Sequence, residues 1–474
     1  MMRKFVFACV LLVGFMPVIV QAQENPLLDI DFWETATVED VAKILDDGAD
    51  IEARDENGWT SLHLAASNNK LEVVALLLDR GAGIEAREDT LRLTPLHIAV
   101  ESNAPKVVAL LLDRDADIEA LDGVREYTPL LLAVTLSKMP NVISLLLDRG
   151  ADIEARDRFL QTPLHLAVRF NAIVKVIPLL LDRGADMEAR DENGWTPLHL
   201  AARFRETPRV ISLLLDKGAD IEARDWSGRT PLHLAAGFDE TAKVISLLLD
   251  RGADPDVRDK DGDTVLMMAM SQGNLDVLAL LLDGGADVEL QDEDGRMPLH
   301  VAVVESDPKV VELLLENGAK IEARSRDSQT PLHFAASDGD REVVELLLDK
   351  FAEIEARTEY AETPLHFAAR YNTQEVVALL VNRGADITAE TEDNKTPLIF
   401  AQMRNEPEMV ALLEDALENK RAKDLVIPVL GIAIGLLSML VTLISTPLGA
   451  MVALKWKRLL AKLNFWSRDY SITL

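Results

Sequence analysis

Thr196-Pro197-Leu198-His199-Leu200-Ala201-Ala202 reads as the start of a short helix. A threonine oxygen at the N-cap can accept one of the backbone N–H groups that a first helical turn leaves unpaired. Proline follows at the first helical position, where its missing donor costs nothing. Leu198, Leu200, Ala201 and Ala202 then make a helix with small residues for close packing. Moving outward, Pro208 opens a second helix whose Val210, Ile211, Leu213, Leu214 and Leu215 suggest a broad apolar face, and Gly218 ends it in the left-handed conformation. Asp220–Arg229 carries the turn signals of an extended hairpin, including Ser227-Gly228. One such unit cannot bury its apolar face alone, so it needs neighbours.

The chain supplies them. The module, or a close relative, begins at Thr60, Thr94, Thr128, Thr162, Thr196, Thr230, Thr264, Met297, Thr330, Thr363 and Thr396. The first six intervals are 34 residues and the last four are 33, a strict phase that excludes chance. The copies from Thr128 to Thr230 carry their extra residue between the helices, and those at Thr60 and Thr94 carry it in the following hairpin. These residues resemble the ankyrin repeat family, whose signature joins Thr-Pro-Leu-His to a Gly-Ala-Asp after the second helix. Gly48-Ala49-Asp50, Gly150-Ala151-Asp152 and Gly184-Ala185-Asp186 show the second element. The resemblance covers about residues 31–419. It implies an all-α-dominated repeat solenoid of helix–turn–helix plus β-hairpin units, about 11 repeats after an N-terminal half-repeat. Asp115 and Phe351 depart from it by replacing the helix-ending glycine. Asp31–Gly48 and Thr396–Asn419 read as caps, the second with polar Gln402, Arg404 and Asn405.

Both ends carry targeting signals. Residues 1–22 have a basic start, an apolar run from Phe5 to Val20 and small residues at Val20-Gln21-Ala22, the pattern of a signal peptide. Leu425–Leu454 contains no charge, and a single span of about 20 residues fits best at 425–444, ahead of Ser445-Thr446-Pro447. Residues 448–474 follow as a basic amphipathic tail in which Lys455, Arg458 and Lys462 share one helical face. Basic residues beside a span favour the cytoplasmic side. The expected topology places the solenoid outside the cytoplasm and the C-terminus inside. A bacterial inner membrane with a periplasmic solenoid suits a disulfide-free exported domain.

The 474 residues carry a net charge of −31; residues 1–22 contribute +2 and 425–474 contribute +4, which leaves −37 for the rest. Such a body repels phosphate backbones and argues against nucleic acid. The one cysteine, Cys9, falls in the signal segment, so the mature chain has no disulfide and no thiol chemistry. All eight histidines (His63, His97, His165, His199, His233, His300, His333 and His366) occupy the fourth position of the module. The resemblance implies that they bridge the threonine and neighbouring backbone, and layers about 10 Å apart would keep them from sharing a metal. Carboxylates recur at fixed phase, as in Ile153-Glu154-Ala155-Arg156-Asp157, which reads as a solvated scaffold pattern. Asp259-Lys260-Asp261-Gly262 lacks the first acidic ligand of an EF-hand loop. No catalytic, cofactor or metal residues, and no small-molecule substrate, are assigned.

The resemblance implies that partners meet the hairpin tips and the end of the first helix. At the helix ends stand Arg169, Phe170, Arg203, Phe204, Phe238, Arg370 and Tyr371; at the tips stand Trp59, Tyr127, Phe159, Trp195 and Trp226, with Arg229 beside them. Aromatic and arginine side chains dominate interface energetics. Phe170, Phe204 and Phe238 have an alternative role, covering the one-residue insertion in those copies. The expected function is a non-enzymatic protein–protein interaction scaffold that favours basic partners and is held to a membrane by its C-terminal helix. Alternatives are a secreted bacterial effector acting on host proteins and, last, a carboxylate-based hydrolase.

Overall fold

Thr230 has extended backbone (φ −88°, ψ 167°), and its side chain accepts the N–H of His233 at the third position of the helix it opens. The histidine ring returns the contact to the Thr230 N–H, at 3.2 Å. This is a capping box in which histidine replaces the usual glutamate. It recurs at Thr60, Thr94, Thr162 and Thr330. The computed structural model describes residues 25–29, 31–136, 140–170, 175–203, 208–238, 241–305, 307–371 and 373–444; of the side chains, those of 423–431, 435 and 437–444 are excluded.

The chain divides into two compact units, residues 1–287 and 288–474. In the first, inner helices Ser61–Ser67, Pro95–Glu101, Pro129–Thr135, Pro163–Arg169, Pro197–Arg203, Pro231–Ala236 and Val265–Met270 pack each on the next. Outer helices such as Leu71–Asp79, Pro208–Asp216 and Ala242–Asp250 flank them on one side. The second unit repeats the plan with inner helices Pro298–Val304, Pro331–Asp338, Pro364–Tyr371 and Pro397–Met403. Inner helices are covered on nearly every side: Pro197, Leu198, His199, Leu200, Ala201 and Ala202 are all buried. Outer helices bury a narrower stripe than the apolar count suggests. In Pro208–Asp216 it is Val210, Ile211 and Leu214, while Leu213 and Leu215 stay half-buried.

The hairpins are not β structure, contrary to expectation. Among the described residues one isolated bridge, Arg258–Thr264, is the nearest approach to a strand pair. The loop Asp191–Trp195 closes on two backbone bonds, from the Asp191 N–H to the Trp195 carbonyl at 3.1 Å and from the Gly194 N–H to the Asp191 carbonyl at 3.0 Å, and it meets the next loop through the Trp226 N–H and the Asn193 carbonyl at 3.2 Å. A strand ladder needs a run of paired bonds, and here side chains take the remaining donors. The two hairpin insertions fall where the spacing places them, and those expected between the helices lie largely outside the described residues. Closure spans five residues in Glu88–Leu93 and Asp122–Tyr127 but four in Asp157–Gln161.

The N-terminal cap begins earlier than residue 31. A 3₁₀ turn, Pro26–Leu28, and the short helix Phe32–Thr35 stand where an inner helix would be. Leu27 and Trp33 are fully buried, and the Trp33 indole N–H donates to the Leu27 carbonyl at 3.0 Å. At the other end, the last outer helix runs unbroken from Pro407 to Ile444. Its Lys420 ammonium bonds Asp386 at 2.6 Å and Thr388 at 3.1 Å, and this holds the Asp386 carboxyl down at about 2. Among the described residues no helix is long and apolar enough to cross a membrane. The expected span, 425–444, has most of its side chains outside that description. The signal peptide at 1–22 and the tail at 448–474 lie outside it entirely.

Candidate protein-binding surface

The loops that carry the candidate residues are built on a buried carboxylate. Asp191, 2% exposed, accepts the N–H groups of Asn193 at 2.8 Å and Trp195 at 3.0 Å. Asp225 does the same for Ser227 and Arg229, and Asp157 for Phe159 and Gln161. These acids are not the solvated scaffold the sequence pattern suggests. Aspartate bonds the N–H two residues on, which turns the chain sharply, and burial keeps water from competing. A second set of acids ties each repeat to the next. Glu154, Glu188 and Glu222 accept the N–H groups of Asp186, Asp220 and Asp254 at 2.8–2.9 Å. Burial raises the carboxyl pKa of all three, outweighing those hydrogen bonds.

The histidines carry the rest of the linkage. His199 Nδ1 faces the Thr196 N–H at 3.2 Å, and its Nε2 reaches the Arg229 carbonyl of the next repeat at 3.0 Å. A carbonyl only accepts, so the proton sits on Nε2 and the ring is neutral. His63, His97, His165, His300, His333 and His366 repeat this bridge. Burial lowers the pKa of each, His333 to about 4. Among the described residues no group of three or more His, Cys, Asp or Glu side chains is placed to hold a metal ion.

On this frame the candidates separate. Phe170, Trp226, Phe238 and Tyr371 are exposed, at 44%, 57%, 36% and 50%. Arg169 is also exposed and donates to Gln161 at 3.2 Å. Trp59, Phe159 and Trp195 are half-buried. Tyr127, expected at an exposed tip, is 7% exposed, with its ring under Arg125 and its carbonyl bonded to His97. Asp122 accepts the Tyr127 N–H at 3.2 Å, and burial withdraws the ring from the solvent-facing surface. Phe204 lies outside the described residues.

The arginines stack rather than stand free. Arg203 lies 5.1 Å from the Trp195 ring and 4.8 Å from that of Phe238, so one guanidinium joins two repeats. Trp195 is itself tied down, its indole N–H donating to Asp225 at 3.0 Å, where the Arg229 Nε also donates at 3.1 Å. Arg370 pairs with Glu362 and lies over Phe367 and Phe400 at 5.6 and 4.4 Å. Arg190 covers Trp226 at 5.4 Å, and Arg158 covers Phe159 at 4.6 Å. The sequence reading passed over Arg190, because its Glu-Ala-Arg motif looks purely structural. It also passed over exposed Leu91, Val124, Leu160 and Tyr360, which share the tip positions. Tip position was the available signal, and only Tyr360 carries an aromatic ring.

A groove of about 800 Å³ lies elsewhere, between Val381, Ala385 and Ile387 on one wall and Leu412, Ala416 and Asn419 of the last helix on the other. None of the stacked rings borders it.

A family model described as ankyrin repeats (3 copies) matches residues 35–122, 120–191, 164–259, 238–325 and 322–391. No curated protein matches the chain.

Proposed function

This chain belongs to the ankyrin repeat family, and from that premise we propose that it is a membrane-anchored, non-enzymatic scaffold that captures protein partners outside the cytoplasm. The family assignment carries the scaffold class. The observation that carries the binding surface is the exposure of Phe170 and Phe238 at the ends of inner helices and of Trp226 on a loop held by the buried Asp225. Rigid loops lose little conformational entropy when a partner docks, which favours binding by a preformed surface.

The anchor is residues 425–444, on the C-terminal stretch of the helix Pro407–Ile444. A helical connection between the last repeat and the apolar segment suits a solenoid held close to the bilayer. Two-sided charge supports the orientation, with the basic tail on the cytoplasmic side of a bacterial inner membrane and the −37 body in the periplasm. That body favours basic partner surfaces and faster association at low salt.

Two measurements test this. Alkaline phosphatase joined ahead of residue 425 should be active, and the same reporter after residue 474 inactive; the reverse pattern overturns the location. A Phe170→Ala/Trp226→Ala variant should lose partner cross-linking in native membranes by tenfold or more, while its melting temperature moves by only a few degrees. A stability loss of about 3–5 kcal/mol would instead mark both rings as core.

A further inference from the structure

We propose that Phe351 is a second membrane contact, a ring at an outer-helix corner that inserts among the lipid headgroups beside the anchor helix. This rests on the anchoring of residues 425–444 and adds which edge of the last repeats meets the bilayer.

Phe351 is out of place twice. Its ring is 90% exposed, and its backbone sits in the left-handed region at φ +71°. Glycine holds the same corner in the layers on either side, at Gly318 (φ +92°) and Gly384 (φ +98°). A β-carbon built on either glycine meets no atom within 4 Å, so this edge offers a ring no protein surface. A strained backbone that presents an exposed phenyl ring points to a contact outside the chain.

The same edge is where the chain leaves for the bilayer. The outer helices Arg341–Asp349 and Gln374–Asn382 and the final helix Pro407–Ile444 pack side by side. The first two turn at Phe351 and Gly384, 33 residues apart, whereas the third passes its equivalent point, Leu417, and continues. Ion pairs keep the three level: Arg383 bonds Asp349 at 2.7 Å, and Lys420 bonds Asp386 at 2.6 Å. From Lys420 to Leu425, where the uncharged run begins, is about 7–8 Å of helix. Headgroups occupy about 5–7 Å on each side of the hydrocarbon core. They therefore begin within a few ångströms of the corners, in reach of a projecting ring. A tilt of about 20°, ordinary for a spanning helix, moves a point two layers away by roughly 6–7 Å. Insertion of the ring thus also sets which way the last repeats lean.

Charge selects the lipid. Asp349 and Glu345 pair with Arg383, Glu312 with Lys350 and Asp386 with Lys420, while Glu316 and Glu353 are exposed. Such an edge gains nothing from an anionic surface, so the ring makes the contact, among zwitterionic headgroups. In the layer between Phe351 and the anchor helix, the groove lined by Val381, Ile387 and Leu412 keeps apolar surface on this side of the repeats.

The test uses the full chain with Cys9→Ser, so that one introduced cysteine carries a nitrobenzoxadiazole label, in phosphatidylcholine nanodiscs containing lipid spin-labelled at the headgroup. A label at Asn382→Cys, on the intervening corner, should be quenched at least twofold more than one at Arg341→Cys, at the far end of the outer helix that precedes Phe351. Adding Phe351→Gly should cut the Asn382 quenching at least twofold. That substitution relieves the strained corner, so the loss would not come from unfolding. Quenching should be the same at about 50 and about 300 mM salt. The proposal is overturned if the two labels are quenched alike, if Phe351→Gly changes nothing, or if salt abolishes the quenching, which would assign the contact to charge. A label at Ile434→Cys, quenched by lipid brominated in its acyl chains, tests the anchor separately. Quenching at Ile434 without quenching at Asn382 sinks the Phe351 contact and leaves the anchor standing; no quenching at Ile434 removes both.

Discussion

His199 shows how much one residue does in this fold. Its ring accepts from the Thr196 N–H at the start of its own helix and donates to the Arg229 carbonyl in the next repeat. The Thr196 N–H is buried and the Arg229 carbonyl partly so, and alanine at this position would leave that donor and that acceptor without their partners. The expected cost of His199→Ala is about 2–5 kcal/mol, read by urea denaturation, from roughly 1–3 kcal/mol per buried unsatisfied group. Protonation attacks the same bridge, because the ring would then carry a second donor facing the Thr196 N–H. The resemblance to the ankyrin repeat family implied the linking role of the histidines. The buried aspartates were misread because periodic acids look alike whether they face water or the loop's own N–H groups. Asp225 and Glu192 both sit in hairpins, yet one is 4% exposed and the other is exposed.

At the scale of the element, the outer-helix corners follow one rule with an exception. Gly218 ends its helix at φ +99°, and the same left-handed position holds Phe351 at φ +71°. An L-residue there costs about 1–2 kcal/mol, of which glycine's greater unfolded-state freedom would return roughly 0.5–1 kcal/mol. Phe351→Gly should therefore stabilise the protein by about 0.5–1 kcal/mol in chemical denaturation; a loss would mean that the ring, 90% exposed, makes contacts absent from this structure. Cations before the corner glycine bind the acid that ends the previous outer helix, as in Arg183–Asp148 at 2.9 Å and Arg251–Asp216 at 2.9 Å. Their acid side chains are more than half exposed, so each pair contributes at most about 1 kcal/mol and weakens with salt. The helix boundaries were legible from Thr-Pro starts and Gly ends. The absence of strands among the described residues was not, because turn-forming residues mark a hairpin without saying how many backbone bonds its arms exchange.

For the whole molecule, the histidines set the response to acid. Burial depresses each histidine's folded-state pKa below the unfolded value near 6.5. The unfolded chain then takes up protons first, so this stability is complete above about pH 6.5 and is lost as pH falls toward the folded values, about 4 for His333. Each such histidine removes roughly 1.4 kcal/mol per pH unit within its window. The raised carboxyls of Glu154, Glu188 and Glu222 act with the opposite sign, favouring the folded state as they protonate. The melting temperature should fall between pH 7.5 and 5.5. A His333→Ala variant, less stable at pH 7.5, should lose less over the same interval; an equal loss would separate acid lability from the ring.

The repeat, its phase, its helix pairs and its family were determined by the sequence alone, because each copy restates the same caps and apolar stripe and a period can be counted without coordinates. Only the tertiary structure decided which rings face solvent. Tyr127 and Trp226 are both aromatic residues of the tip loops, but one is 7% exposed under Arg125 while the other lies on Gly194 and stays 57% exposed. Exposure is a property of what packs against a side chain. In a stack of repeats those neighbours lie about 30 residues away, on loops whose lengths differ by a single residue.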